Sequence, residues 1–195
     1  DLISDLRWRG LIHQCTDESG LQKLLGEGPQ RIYIGFDPTA TSLHVGGLMQ
    51  LMMLRRFQRA GHQPIALVGG ATGMIGDPSG KSEERKLLSV EDLQRNVAGI
   101  ASQVERFLDF DGDRGALLIN NFDWMQKFSY LEFLRDVGKN FPIGPMLGRD
   151  LVRSRLENEV GLSYTEFSYV LLQAYDFVHL AKTYGCRIQG GGSDQ

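Results

Sequence analysis

Arg31-Ile32-Tyr33-Ile34-Gly35-Phe36-Asp37-Pro38-Thr39-Ala40-Thr41-Ser42-Leu43-His44-Val45-Gly46-Gly47 decides the fold. Its first six residues are rich in β-branched and aromatic side chains and read as a strand. Asp37-Pro38 ends that strand, because proline has no N–H to give a ladder and fixes its own φ. Ser42 is the expected N-cap of the helix that follows. That helix runs from about 44 to 60, with Leu48, Leu51, Met52, Leu54 and Phe57 at helical spacing as its core face. The methionines Met49, Met52 and Met53 are expected in the core as well. Strand, tight polar turn and helix N-terminus together form the place where α/β proteins gather anions, through free backbone N–H groups and the positive end of the helix dipole.

Outward from this unit the pattern repeats. Pro64-Ile65-Ala66-Leu67-Val68 is a continuous apolar run, the mark of a strand buried on both faces. Ala116-Leu117-Leu118-Ile119-Asn120 and Cys186-Arg187-Ile188-Gln189 read as two more strands. Between them lie helices that start at Ser89 with Asp92 and at Ser163 with Glu166, the latter a capping-box spacing that opens a run to Tyr184. Four short strands alternating with helices predict an α/β protein with a doubly wound parallel sheet and helices on both faces. Ligands on such sheets bind at the carboxyl ends of the strands. The glycines and polar groups stand at exits one, two and four: Gly35 to Gly47, Gly69 to Lys81 and Gly190 to Gln195.

The chain has 195 residues, 42% hydrophobic and 23% charged, with formal net charge -3 and 24 glycines. That is the composition of a soluble globular domain with a real core. The acidic balance gives no global nucleic-acid footprint, so any RNA contact is local. Cys15 and Cys186 match no metal spacing and are expected as free thiols in a reducing compartment. No apolar run reaches the roughly 18 residues of a membrane span, and no signal peptide is legible. The chain opens at Asp1 without methionine and stops at Gln195 within a motif, so 1–195 reads as a piece cut at both ends.

Gly69-Gly70-Ala71-Thr72-Gly73-Met74-Ile75-Gly76-Asp77-Pro78-Ser79-Gly80-Lys81 has the look of a nucleotide loop. It fits neither a Walker A loop, because Gly76 and Gly80-Lys81-Ser82 are one residue too close, nor a good dinucleotide fingerprint. The combination is more specific. Tyr33 to Gly47 resembles the first signature of class I aminoacyl-tRNA synthetases, usually His-x-Gly-His at a helix N-terminus. Gly69 to Lys81, Thr165-Glu166-Phe167-Ser168-Tyr169 with Leu172-Gln173-Ala174-Tyr175-Asp176, and Gly191 to Gln195 resemble the matching blocks of the bacterial-type tyrosyl-tRNA synthetases, in order and across essentially the whole chain.

The resemblance implies the Rossmann-like catalytic core of that family, which activates tyrosine with ATP and transfers it to tRNA(Tyr). It implies Tyr33 and Asp176 at the phenol, and Asp77, Tyr169 and Gln173 at the ammonium. It implies Thr39, His44, Lys81 and Arg85 at the phosphates, and Gly35, Asp37, Gly46, Gly47, Gly192, Asp194 and Gln195 along the nucleoside, with Asp194 at a ribose hydroxyl. Tyr169, Gln173 and Asp176 fall at i, i+4 and i+7, one helix face, which supports the grouping independently. A site built to bond a hydroxyl rejects the analogue that lacks one, and tyrosine against phenylalanine in this family is the standing illustration of that rule. Catalysis is orientation and charge stabilisation without a covalent enzyme intermediate.

The resemblance also implies ATP as a substrate with Mg2+ on its phosphates, a cytoplasmic homodimer meeting through about Phe122 to Tyr164, and Phe128, Tyr130, Phe133, Phe141 and Pro142 on that face; no protein metal site is legible in the residues. Gly47 replaces the second signature histidine, and Ile34 stands where relatives carry a cysteine; both positions face the ribose in the family. The second signature, of the Lys-Phe-Gly-Lys-Ser kind, and the anticodon-reading domains are absent from 1–195, so the isolated piece is expected to be a weak catalyst. Two rivals stand beside this reading: a tryptophanyl-type relative, and a non-catalytic tyrosine- or RNA-binding module. Singly, each site residue has a plainer reading: Tyr33 a core aromatic, His44 a cap, Asp176 a paired structural acid, Asp77 a turn residue, Lys81 and Arg85 part of a solvated charge run.

Overall fold

The computed structural model describes residues 1–76, 88–158 and 161–192, the side chains of 150 and 151 apart. In chain order the elements are α1 Leu2–Trp8, α2 Glu18–Gly26, β1 Arg31–Phe36, α3 Val45–Arg59, β2 Gln63–Val68, α4 Thr72–Ile75, α5 Val90–Val104, β3 Leu117–Asn120, α6 Phe122–Met125, α7 Tyr130–Asp136, a 3-10 turn Gly138–Asn140, α8 Ile143–Leu147, α9 Asp150–Glu157, α10 Tyr164–Tyr184 and β4 Ile188–Gly190. The four strands form one sheet in the order β3-β2-β1-β4, and every pairing is parallel. β1 pairs with β2 from Arg31 opposite Gln63 to Phe36 opposite Val68, and on its other edge with β4 through Ile32, Tyr33 and Ile34.

The period-2 alternation of the strands splits the core into two layers. Ile32, Ile34, Phe36, Ala66 and Val68 face one side, packed with Leu51, Leu54 and Phe57 of α3, Ile100 and Val104 of α5, and Ile3 and Leu6 of α1. Tyr33, Ile65 and Leu67 face the other, with Trp124, Met125 and Leu180. Helices on both faces of a parallel sheet make the doubly wound α/β architecture, as the alternation predicted. Its order steps outward from β1 to β3 and then returns to place β4 on the far side of β1. The switch point between β1 and β4 opens a crevice at their carboxyl ends.

The helix ends follow local chemistry. Ser163 accepts from the Glu166 N–H and Glu166 reaches back to the Ser163 N–H, a complete capping box, and Gly185 closes α10 in the left-handed conformation at φ 62°. Ser89 caps α5 in the expected way. Three expectations change. His44, not Ser42, caps α3. Leu48, Met49 and Met52 are exposed rather than core, while Met53 is packed against it. The reason is angular: the first part of α3, residues 45–54, is apolar nearly all round, so periodicity alone cannot choose a face there, and the sheet covers only the stripe of Gly47, Leu51, Leu54 and Phe57. The fourth strand begins at Ile188 rather than Cys186: Cys186 meets β1 only through its thiol, on the Arg31 carbonyl at 3.5 Å, and backbone pairing starts with Ile188 opposite Ile32.

Candidate active site

The carboxyl end of β1 presents Tyr33, Gly35 and Asp37 toward α10. The Tyr33 ring packs on Phe177 of α10 at a centroid distance of 5.5 Å. Two residues on, the bare Cα of Gly35 faces open space, with no heavy atom within 4 Å of where a Cβ would sit. Asp37 follows and accepts from the Tyr169 hydroxyl at 2.8 Å and from the Thr72 hydroxyl at 2.7 Å. An unfilled gap between a phenol and a carboxylate, on an otherwise close-packed strand, is the form of a slot rather than of a core.

The opposing wall is α10. Glu166, Tyr169, Gln173, Asp176 and Leu180 recur at alternating steps of three and four and therefore share one face. Asp176 is 2% exposed and accepts from the Trp124 indole N–H and from the Asn121 amide, each at 2.9 Å. The second Asn121 amide hydrogen goes to the Thr72 hydroxyl at 3.0 Å, and Asn121 Oδ1 accepts from the Ala71 N–H at 2.7 Å. One continuous chain of hydrogen bonds thus runs Tyr169, Asp37, Thr72, Asn121, Asp176, Trp124, across the ends of β1, β2 and β3. Gly69 makes the crossing possible, since a Cβ there would lie 2.1 Å from Asp37 Oδ1 and 2.4 Å from Thr72 Oγ1.

Burial sets the electrostatics. It pushes the Asp176 carboxyl up to about 7; the bonds from Asn121 and Trp124 offset part of this, and the charge of Asp37 adds to it. Burial likewise raises the Tyr33 phenol far above its ordinary value, with Asp176 and Cys186 adding and the side chain of its register partner Gln189 offsetting a little. Gln189 forms no hydrogen bond of normal geometry with it: the Tyr33 hydroxyl is buried with no partner among the described residues. A buried hydroxyl without a partner costs free energy and calls for an explanation. A ligand hydroxyl bonded to it and to the remaining lone pairs of Asp176 is one that fits both groups. Beneath them His179 stacks on Trp124 at 4.2 Å, and burial, then Lys127, holds its pKa below the usual histidine value.

At the other end of the gap, His44 caps α3 by accepting from the Gly46 N–H through Nδ1 at 3.1 Å. An accepting Nδ1 is bare, so the neutral ring carries its proton on Nε2 and can donate it outward from an exposed position. Thr39 is exposed on the turn beside it, its N–H bonded to the Asp37 carbonyl at 2.9 Å. Gly47 is buried, and a Cβ there would meet Leu43 Cδ2 at 3.0 Å, so Leu43 occupies part of the room a side chain at 47 would need. Ile34 is 1% exposed and packed in the α3-side core, where it offers no polar group to a ligand. Gly192 is half-buried past the end of β4.

The structure therefore brings Tyr33, Gly35, Asp37, Tyr169, Gln173 and Asp176 to one slot between β1 and α10, with Thr39, His44, Gly46 and Gly47 on the turn and helix start that leave its upper end. Asp77, Lys81, Arg85, Asp194 and Gln195 lie outside the described residues. Thr72, Asn121 and Trp124 were not anticipated. The signal was present: Asn120 ends the half-buried apolar strand β3 and Asn121 follows it, where polar residues mark a ligand-facing end, so the third exit contributes as well as the first, second and fourth. No described group of three or more His, Cys, Asp or Glu side chains is placed to hold a metal. A hollow of about 530 Å³ lined by residues including Leu2, Leu25 and His62 lies at the amino ends of the strands, the wrong end of such a sheet for its ligand. No described helix is long and apolar enough to cross a membrane.

Comparison with known proteins gives a concordant picture. The family described as tRNA synthetases class I (W and Y) matches residues 25–195. A tyrosine--tRNA ligase of Rhodopirellula baltica is 76% identical over 194 residues, covering 100% of this chain and 44% of the relative. One of Opitutus terrae is 56% identical over 195 residues, covering 100% and 46%. The solved structure of a C-terminally truncated mitochondrial tyrosyl-tRNA synthetase of Aspergillus nidulans superposes with a TM-score of 0.87 at 37% identity, over 100% of this chain and 57% of that one. The chain thus spans less than half the length of the curated relatives it matches.

Proposed function

The chain belongs to the class I tRNA synthetase family of the tryptophan and tyrosine enzymes, and from that premise we propose that it is the catalytic unit, 1–195, of a tyrosine--tRNA ligase. The observation that carries the tyrosine assignment is the pairing, deep between β1 and α10, of an unpartnered phenol hydroxyl on Tyr33 with the buried carboxylate of Asp176. Both groups want a hydroxyl between them. An indole has a single N–H and no acceptor, so it can serve only one of the two groups, whereas a phenol hydroxyl donates to one and accepts from the other, which disfavours the tryptophanyl-type reading.

In this reading tyrosine enters phenol first, over the open Gly35. Its ammonium meets Tyr169 and Gln173, with Asp77. One carboxylate oxygen attacks the α-phosphorus of ATP; the new P–O bond forms as the bond to the β-phosphate oxygen breaks, and pyrophosphate departs. His44 through Nε2–H and Thr39 through its hydroxyl, with Lys81 and Arg85, donate to the charge that gathers on the departing phosphates. Gly35, Asp37, Gly46, Gly47, Gly192, Asp194 and Gln195 line the nucleoside. Mg2+ travels with the ATP phosphates as part of the substrate, held by their oxygens. A terminal ribose hydroxyl of tRNA(Tyr) then attacks the adenylate carbonyl and AMP leaves. Binding orients the reactants, and no enzyme atom is covalently changed.

The second lysine-rich signature and the anticodon-reading domains belong, in this reading, to a longer chain that works in the cytoplasm, a reducing setting that suits the free Cys15 and Cys186. We also assign a homodimer face to about Phe122 to Tyr164, which exposes Tyr130, Leu131, Ile143, Leu147, Leu156 and Tyr164. Phe128 and Phe133 contribute less than expected, since they pack edge-on to each other and to Tyr175 within the chain. Tyrosine-dependent exchange of pyrophosphate into ATP by the full-length protein tests the enzyme. Exchange that needs tyrosine supports it, exchange that needs tryptophan moves it to the sister enzyme, and tyrosine binding with no exchange leaves a binding module.

A further inference from the structure

Outside the slot, the described residues hold one fully buried ion pair, and it sits one helical turn from the proposed ammonium site. Arg155 of α9 and Glu166 of α10 are 4% and 3% exposed. The guanidinium grips both carboxylate oxygens, Nη1 to Oε2 at 3.0 Å and Nη2 to Oε1 at 3.1 Å, and donates through Nη1 to the Gly161 carbonyl at 3.0 Å as well. The same carboxylate closes the capping box with Ser163. One side chain therefore ties α9, the approach at Gly161 and the first turn of α10 into a single unit.

An ordinary capping box needs none of this. Its glutamate sits at a helix start, open to water, and the cap is satisfied without a counter-ion. Here the glutamate is buried, and a buried carboxylate is tolerated only when its charge is matched and its lone pairs are filled. A planar fork that fixes two oxygens at once also fixes orientation, which a lysine point charge does not. Glu166 lies at i-3 from Tyr169 and i-7 from Gln173, on the face that looks into the slot. The Tyr169 hydroxyl must in turn reach Asp37 at 2.8 Å.

We propose that Arg155 is a positioning residue for the ammonium end of the tyrosine slot, acting through Glu166 to fix the height and rotation of α10 at Tyr169 and Gln173. It touches neither tyrosine nor ATP. The inference rests on the ligase reading above and adds to it a residue outside the slot. Asp176 lies three turns from the pair, at the far end of the hydrogen-bond chain from Tyr169, and is fixed there by Trp124 as well as by Asn121. Loss of the pair therefore weakens the grip on the ammonium and leaves the phenol end intact.

The test uses the full-length protein. Arg155→Ala strands a buried charge and risks the fold, so the informative variant is Arg155→Met with Glu166→Gln, which removes both charges and keeps a residue able to complete the capping box. Equilibrium binding is measured for tyrosine and for its des-amino analogue, 3-(4-hydroxyphenyl)propionate, together with the KM values of the exchange reaction. The expected result is a rise of about tenfold in Kd and KM for tyrosine, with the analogue's affinity and the KM for ATP unchanged. Arg155→Lys falls between, at about threefold, and carries the test should the double variant not fold. Equal loss for tyrosine and the analogue, or no loss for either, overturns the proposal, whereas a wild-type protein that binds no tyrosine overturns the ligase reading instead.

Discussion

Replacing Asp176 by asparagine is expected to lower stability in mild acid and raise it in mild base. Between its ordinary value of 3.8 and about 7, the native Asp176 keeps a proton that the unfolded chain has already lost. The native state binds more protons over that interval, so stability is highest below it and is lost as the pH climbs through about 7. At about 1.4 kcal/mol per pH unit, the full loss amounts to roughly 4 kcal/mol. Asparagine escapes it, being uncharged at every pH. Its cost is of another kind. The Trp124 and Asn121 donors both point at the carboxyl, one to each oxygen. An amide can accept from one of them and must turn its own NH2 toward the other, which costs about 1–3 kcal/mol; a carboxylic hydroxyl oxygen, by contrast, can still accept.

The variant is therefore less stable than wild type by about 1–3 kcal/mol near pH 4, close to equal near pH 5 and more stable by about 1–3 kcal/mol near pH 8. Urea denaturation of both chains across that range measures it, and taking the difference cancels every group the two chains share. Parallel profiles with no crossing would refute the reasoning. In the full-length protein the same substitution is expected to reduce the preference for tyrosine over phenylalanine by roughly tenfold or more, because a charged acceptor becomes a neutral one that can also present a donor.

Other substitutions separate stability from function in the same site. Tyr33→Phe removes the buried hydroxyl that has no partner, so the free protein should gain about 1 kcal/mol in urea denaturation while its tyrosine preference falls; a variant that loses stability would show that the hydroxyl is satisfied. Gly69→Ala would drive a methyl to 2.1 Å from Asp37 Oδ1 and is expected to cost about 1–3 kcal/mol in thermal or chemical unfolding, with a parallel loss of exchange activity. The isolated 195-residue chain should bind tyrosine in a calorimetric titration yet catalyse exchange poorly; exchange at the full-length rate would show that nothing beyond Gln195 is needed.

Much of this protein was decided locally. The β1 run, the Asp37-Pro38 break, the Ser89 and Ser163 caps and the Gly185 stop each act within a few residues, through sterics and single hydrogen bonds, and so they are legible in order along the chain. The i, i+4, i+7 grouping of Tyr169, Gln173 and Asp176 follows from helix geometry alone. Tertiary structure decided what depends on a partner far away in sequence. Whether Met52 is core or surface depends on how far the sheet reaches round α3, and it stops short. That His44 rather than Ser42 caps α3 depends on where the turn delivers the chain. Asn121 and Trp124 became holders of Asp176 only when β3 was laid beside β2 and α10 across both, at separations of 55 and 52 residues. The sequence named the groups that could recognise a phenol. Only the fold could bury them, and burial is what leaves Tyr33 without a partner and lifts Asp176 toward neutrality, since both effects come from the loss of water rather than from the residues themselves.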